Sequence, residues 1–234
     1  MSAGTSVRRT SVVGCLVAVF GALALLAACG SGSGSASNSS PGPTRTGACQ
    51  SSDPAAAIRA ANTAQNSASS YQSETTTATK SGNSQLTVQV QLPDRFHFTD
   101  VAPDGHTTEF LAIGSTTWTK SNGRWIASPG VNLGDLVKQA DPLGESILKG
   151  STFTNFSVNP NTRLAGKPAV LYRFHLSITS SQLSSDVQLW LASDTCLPLQ
   201  AISSFAYVVN GGTSTGRSMT TWADWNAISI EAPA

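Results

Sequence analysis

Charge is what this 234-residue sequence has least of. Only 12% of its side chains are Asp, Glu, Lys or Arg, about half the quarter usual in soluble proteins. The 14 basic and 13 acidic residues leave a net charge of +1. No basic run exceeds Arg8-Arg9, so the chain lacks the electrostatic footprint of a nucleic-acid binder. Histidine is down to three residues, His97, His106 and His175, and no His-x-x-x-His, Gly-x-Ser-x-Gly or phosphate-loop spacing occurs. His97 and His175 alternate with apolar neighbours and are expected to face away from them, while His106 follows the turn sequence Pro103-Asp104-Gly105. The acids Asp94, Glu109, Asp186 and Asp224 are scattered. Serine is abundant enough to assemble a Ser/His/Asp triad on paper, yet no motif specifies one. These absences point away from an enzyme, and no cofactor is implied.

Long apolar runs are down to one. Val12 to Ala28 is uncharged and mostly apolar, follows Arg8-Arg9, and precedes the first acid, Asp53. That is the layout of a secretory signal peptide; a membrane-spanning helix is the rival reading of a run this long. Leu26-Ala27-Ala28-Cys29 resembles the lipobox of bacterial lipoproteins. The resemblance implies cleavage before Cys29, a diacylglycerol thioether on its sulfur and often an acylated new amine, palmitate being a usual chain. Cys15, inside the run, has no such context. Removal of residues 1–28 leaves 12 basic against 13 acidic side chains, a net charge of −1. Two or more acyl chains give stable anchoring, at roughly 0.8 kcal/mol per buried CH₂.

Residues 29–48 then read as a tether, because GSGSGSASNSSPGPTRTG cannot bury enough apolar surface to fold. Residues 49–234 are left as one domain. Of the four cysteines, Cys49 and Cys196 fall in it. Outside the cytoplasm such a pair is most simply a disulfide. A two-Cys metal site is the alternative, without His or Cys at ligand spacing beside either residue.

Within the domain, Ser52-Asp53-Pro54 is a helix start and Ala55 to Ser70 its continuation. Period-two alternation follows: Tyr71 to Lys80; Leu86, Val88, Val90 and Leu92; Phe96 and Phe98; Phe110 to Ile113; Thr116 to Lys120. Asn122-Gly123 makes a hairpin turn into Arg124-Trp125-Ile126. Leu133, Leu136, Val137 and Ala140, then Ile147 and Leu148, return to helical spacing within Val131 to Gly150. Strands resume at Phe153 to Val158 and Ala169 to Ile178. They continue at Val187 to Leu191, at Leu197 to Val209 and at Arg217 to Ile230. The expected fold is α+β: about ten antiparallel strands, a leading helix and a short helical insertion.

The serial order of several junctions carries a resemblance. Leu92-Pro93-Asp94-Arg95-Phe96 is followed by Ile113-Gly114-Ser115-Thr116-Thr117-Trp118 and Asn122-Gly123-Arg124-Trp125. Then come Leu197-Pro198-Leu199 and Trp222-Ala223-Asp224-Trp225-Asn226. This series is similar to the LolA/LolB-like lipoprotein superfamily, and within it to the mycobacterial LppX/LprAFG lipoproteins. The resemblance spans nearly all of residues 53–232. It implies an unclosed, strongly curved sheet, a half-barrel whose concave side is covered by helices and holds acyl chains.

The expected lining is Val88, Val90, Leu92, Phe96, Phe98, Phe110, Tyr172, Phe174, Leu176, Leu189 and Leu191 from strands. Leu133, Leu136, Val137, Ile147 and Leu148 join from the insertion. Alternation of this kind also describes a plain filled core. Trp190 alternates against Leu189 and Leu191 and is expected to pack under the leading helix, and Trp118 to stack with Trp125 across the hairpin. Two functions follow. One is a lipid-binding or lipid-transfer lipoprotein, anchored as a monomeric domain on the outer face of a bacterial cell membrane. The other is an envelope lipoprotein with a filled core that senses or binds a protein.

Overall fold

The computed structural model describes residues 48–129, 150–179, 182–209 and 211–233. It begins with a 3-10 turn, Ala48–Gln50, and a single described α-helix, α1, Pro54–Ser67. Asp53 caps the helix by accepting from the Ala55 N–H at 3.0 Å, and Pro54 occupies the first turn, where its missing N–H costs nothing. The helix ends three residues earlier than the sequence pattern suggests, because Ser70 already belongs to the sheet. No helix among the described residues is long and apolar enough to cross a membrane.

Eleven strands follow: β1 Ser70–Thr79, β2 Gly82–Gln91, β3 Arg95–Val101, β4 Thr107–Ile113, β5 Thr116–Ser121, β6 Arg124–Pro129, β7 Ser151–Leu164, β8 Lys167–Ile178, β9 Leu183–Ala192, β10 Pro198–Val209 and β11 Gly212–Ala223. They form one unclosed antiparallel sheet in the order β6-β5-β4-β3-β2-β1-β11-β10-β9-β8-β7. The fold is thus the α+β half-barrel expected, with one strand more than the ten anticipated. The chain runs outward from β1 to one edge, passes through residues 130–149, and returns from the opposite edge to β11, which pairs with β1. The helical insertion expected at Val131 to Gly150, with Leu133, Leu136, Val137, Ile147 and Leu148, lies outside the described residues up to Gly150.

Local chemistry accounts for the turns. Asn122 and Gly123 both take positive φ, 51° and 75°, as a tight hairpin turn requires. The Leu92–Pro93 peptide bond between β2 and β3 is cis.

The closing segment departs from the expected strand. Strand β11 stops at Ala223, and Asp224 and Asn226 take positive φ. The Asn226 carboxamide oxygen accepts from the Ser69 N–H at 2.7 Å, the Ile228 N–H donates to the Ser70 hydroxyl, and the Ile230 N–H donates to Gln91. The tail is therefore held by individual hydrogen bonds to Ser69, Ser70, Gln91 and Arg95 rather than by a strand ladder.

One face of the sheet carries a single apolar cluster that includes Ala57, Ile58 and Ala61 of α1. Cys49 and Cys196 form a disulfide with their Cα atoms 5.3 Å apart. It ties the start of the domain to the β9–β10 turn. A structural disulfide belongs to an oxidising, extracytoplasmic compartment.

Candidate functional site

Strand alternation puts every second side chain of each strand on the face that α1 covers. Register then assembles these side chains into rows. Tyr71, Val90, Phe96 and Ala112 stand side by side across β1 to β4, and Ser73, Val88, Phe98 and Phe110 form the next row. On the other side, Ala201, Leu189, Tyr172 and Val158 continue from Thr75 and Thr220. Phe98 stacks on Phe110 at 5.4 Å, Phe153 meets Phe174 edge-on at 5.6 Å, and Phe156 leans on Tyr172 at 5.8 Å. Every described residue of the expected lining, Val88, Val90, Leu92, Phe96, Phe98, Phe110, Tyr172, Phe174, Leu176, Leu189 and Leu191, lies in this cluster or packs against it.

The middle of the same face is not apolar. Strand β1 presents Ser73, Thr75, Thr77 and Thr79 inward, opposite Thr220 and Ser218 of β11, with Ser203 and Ser185 beyond. Thr75 and Thr220 share a hydrogen bond at 2.8 Å, as do Ser185 and Ser203 at 2.6 Å. Two apolar walls thus flank a band of mutually bonded hydroxyls. Asp100 of β3 is buried at the margin, where desolvation holds its carboxyl above the ordinary aspartate range. The Tyr172 hydroxyl donates to the Cys49 carbonyl, and burial pushes its pKa up to about 12.

At the end covered by α1, Gln65 donates from Nε2 to the Tyr71 hydroxyl at 2.9 Å. Trp225 packs against the Tyr71 ring at 5.3 Å. Trp222, inward on β11, pairs across with Ser73. Gln65 and Tyr71 were not among the sequence candidates, whereas Trp222 and Trp225 were singled out there, without a partner. Their only signal is the alternation of Tyr71 with Ser73 and of Trp222 with Thr220, which gives a face but no partner.

The opposite face carries His97 and His175, as alternation implied. His97 packs edge-on against Trp125 at 6.3 Å, Lys120 sits 5.5 Å over the Trp125 ring, and Lys120 pairs with Glu109 at 2.6 Å. Trp118 lies across from Ala127 and Trp125 from Lys120, so the ring partner of Trp125 is His97 and the expected Trp118–Trp125 stack does not form. Trp190 points away from Leu189 and Leu191, onto the face opposite α1. It therefore cannot pack beneath the helix.

His175 bonds through Nδ1 to Asp186 at 2.8 Å and through Nε2 to the Ser184 hydroxyl at 3.2 Å. The order of groups matches a catalytic relay, but Asp186 is 79% exposed. Strands β8 and β9 each have a neighbour on both sides, which commits their N–H groups to ladder bonds and leaves no free backbone donors beside Ser184. Among the described residues no three His, Cys, Asp or Glu side chains group as metal ligands.

Neither a protein-family model nor a curated protein sequence matches the chain. Solved structures do. The Mycobacterium tuberculosis lipoprotein LppX is similar at 16% identity with a TM-score of 0.49, covering 75% of this chain and 96% of that one. LprF from Mycobacterium bovis is similar at 14% identity and a TM-score of 0.44, covering 76% and 95%. A LolA superfamily protein from Nitrosomonas europaea is similar at 11% identity and a TM-score of 0.31, covering 74% and 93%.

Proposed function

We propose that this protein is a lipid-anchored extracytoplasmic lipoprotein that holds acyl chains against the concave face of its sheet. The observation that carries the reading is the breadth of that face. Aromatic and aliphatic side chains from β2, β3, β4, β8 and β9 form one surface, and the only described helix over it is the 14-residue α1. An apolar surface of this extent needs an apolar partner. In the same proposal Cys29 is the acylated residue, residues 1–28 are removed, and residues 29–48 let the domain reach the membrane.

A second reading has an observation of its own. Val90, Phe96, Tyr172 and Leu189 are already almost wholly buried, as in an envelope lipoprotein with a filled core that recognises a protein. Organic extraction of the purified protein followed by mass spectrometry separates the two. Stoichiometric lipid supports the carrier; a clean extract sinks it. Phe174→Trp gives a further check. In a carrier it narrows the cavity and lowers lipid content, whereas in a filled core it leaves the extract unchanged and destabilises by about 1–3 kcal/mol through overpacking.

A further inference from the structure

Two deeply buried polar atoms at the α1 end of the concave face have no hydrogen-bond partner among the described residues. Gln65 is 1% exposed and Trp222 is 6% exposed, yet Gln65 Oε1 and Trp222 Nε1 are both unpaired. The buried Nε1 of Trp225 is unpaired as well. All three surround Tyr71. Gln65 bonds its hydroxyl and Trp225 packs on its ring, while Trp222, opposite Ser73 in register, is its diagonal neighbour across β1 and β11.

Leaving a buried donor or acceptor unmade costs about 1–3 kcal/mol, and native interiors rarely tolerate such groups without a reason. Here one unpaired acceptor, on Gln65, and two unpaired donors, on Trp222 and Trp225, belong to side chains grouped around Tyr71. The inward positions of β1 and β11 carry no charged side chain; Glu74 and Arg217 alternate onto the other face, and the inward carboxyl of Asp100 is two strands away on β3. A group that both donates and accepts, without charge, satisfies such a corner: an alcohol hydroxyl.

We propose that the Gln65–Tyr71–Trp222 corner is the subsite for a neutral, hydroxyl-bearing head group, whose chain runs along the apolar face. The assignment rests on the lipid-binding reading above and adds the ligand's polarity and orientation. It also makes Gln65 and Trp222 determinants of specificity, in contrast to the apolar walls, which accept any chain.

The test uses the full chain in phosphatidylcholine nanodiscs, with two photo-crosslinking probes of equal chain length: a diazirine monoacylglycerol and a diazirine alkane. Gln65→Leu keeps the volume, Trp222→Phe keeps an aromatic ring, and each removes an unpaired atom. Each is expected to lower monoacylglycerol labelling about fivefold, the factor expected for one lost hydrogen bond, and to leave alkane labelling unchanged. The melting temperature of Trp222→Phe should change little, since Nε1 makes no bond in the unliganded protein, whereas Gln65→Leu should lower it modestly through loss of the Nε2 bond to Tyr71. Equal labelling of variants and parent by monoacylglycerol overturns the subsite and leaves lipid binding standing. A clear fall in melting temperature with both probes lost also overturns it, because the atoms then serve the fold. Labelling of the parent by neither probe overturns lipid binding itself.

Discussion

His97 shows how much a single ring can report. Its Nδ1 lies 3.1 Å from the Gln89 carboxamide oxygen, and Gln89 in turn donates to Gln72. That chain fixes the Nδ1–H tautomer and leaves Nε2 buried without a partner. Burial lowers the His97 pKa, with Glu109 opposing and Lys120 assisting. A depressed folded-state pKa means that the unfolded chain takes up the proton first. Stability is therefore complete above the ordinary histidine value of 6.5 and is lost as pH falls from there toward the depressed value. Urea midpoints between pH 8 and pH 5 should fall on the acid side, and His97→Leu should flatten that part of the profile. An unchanged slope in the variant would refute the assignment. The sequence told which face His97 occupies, because alternation is local; its partners come from other strands, which alternation does not specify.

Elements were legible where one face is apolar and the ladder is regular. In β2, β3, β8 and β9 the period of two places Val88, Phe98, Phe174 and Leu189 on the core side without exception. Strand β7 shows the opposite case. Only Phe153 to Val158 reads as strand, yet the strand runs to Leu164, because two register shifts, between Thr154 and Ser157 and between Asn159 and Thr162, break its alternation. In β10 the inward set is Ala201, Ser203 and Phe205, with Ile202 turned outward, so its most branched residue misleads. Strand β11 contains Gly216, whose missing side chain has a use. A Cβ there would lie 2.6 Å from the Phe205 ring and 2.7 Å from the Ala78 carbonyl. Gly216→Ala is therefore expected to destabilise by about 1–3 kcal/mol, read as a lower urea midpoint. Shortening the ring as well, in Gly216→Ala with Phe205→Leu, should recover part of the loss.

At the scale of the molecule, the disulfide closes a loop with a sequence separation of 147. In the chain-entropy model such a closure contributes about 4–5 kcal/mol, by restricting the unfolded chain. Cys49→Ala with Cys196→Ala should lower unfolding free energy by up to about that amount, and added reductant should move the parent toward the variant. Identical urea curves with and without reductant would count against the bridge. The pairing was readable from the count of cysteines and the inferred compartment. The meeting of β1 with β11 was not, since no local pattern encodes contacts such as Thr75 with Thr220, 145 residues apart.

That central seam also sets an order of events. Of the described strands, synthesis delivers β1 first and β11 last, so the strand that joins the two halves of the sheet exists only after all the others. Until then β1 lies at an open edge of the first half, with its Thr-rich ladder unpaired. Non-local pairing of this kind is slow to form. A sheet that closes only when β11 meets β1 gains its central ladder last, so its two halves must each hold together before the seam joins them.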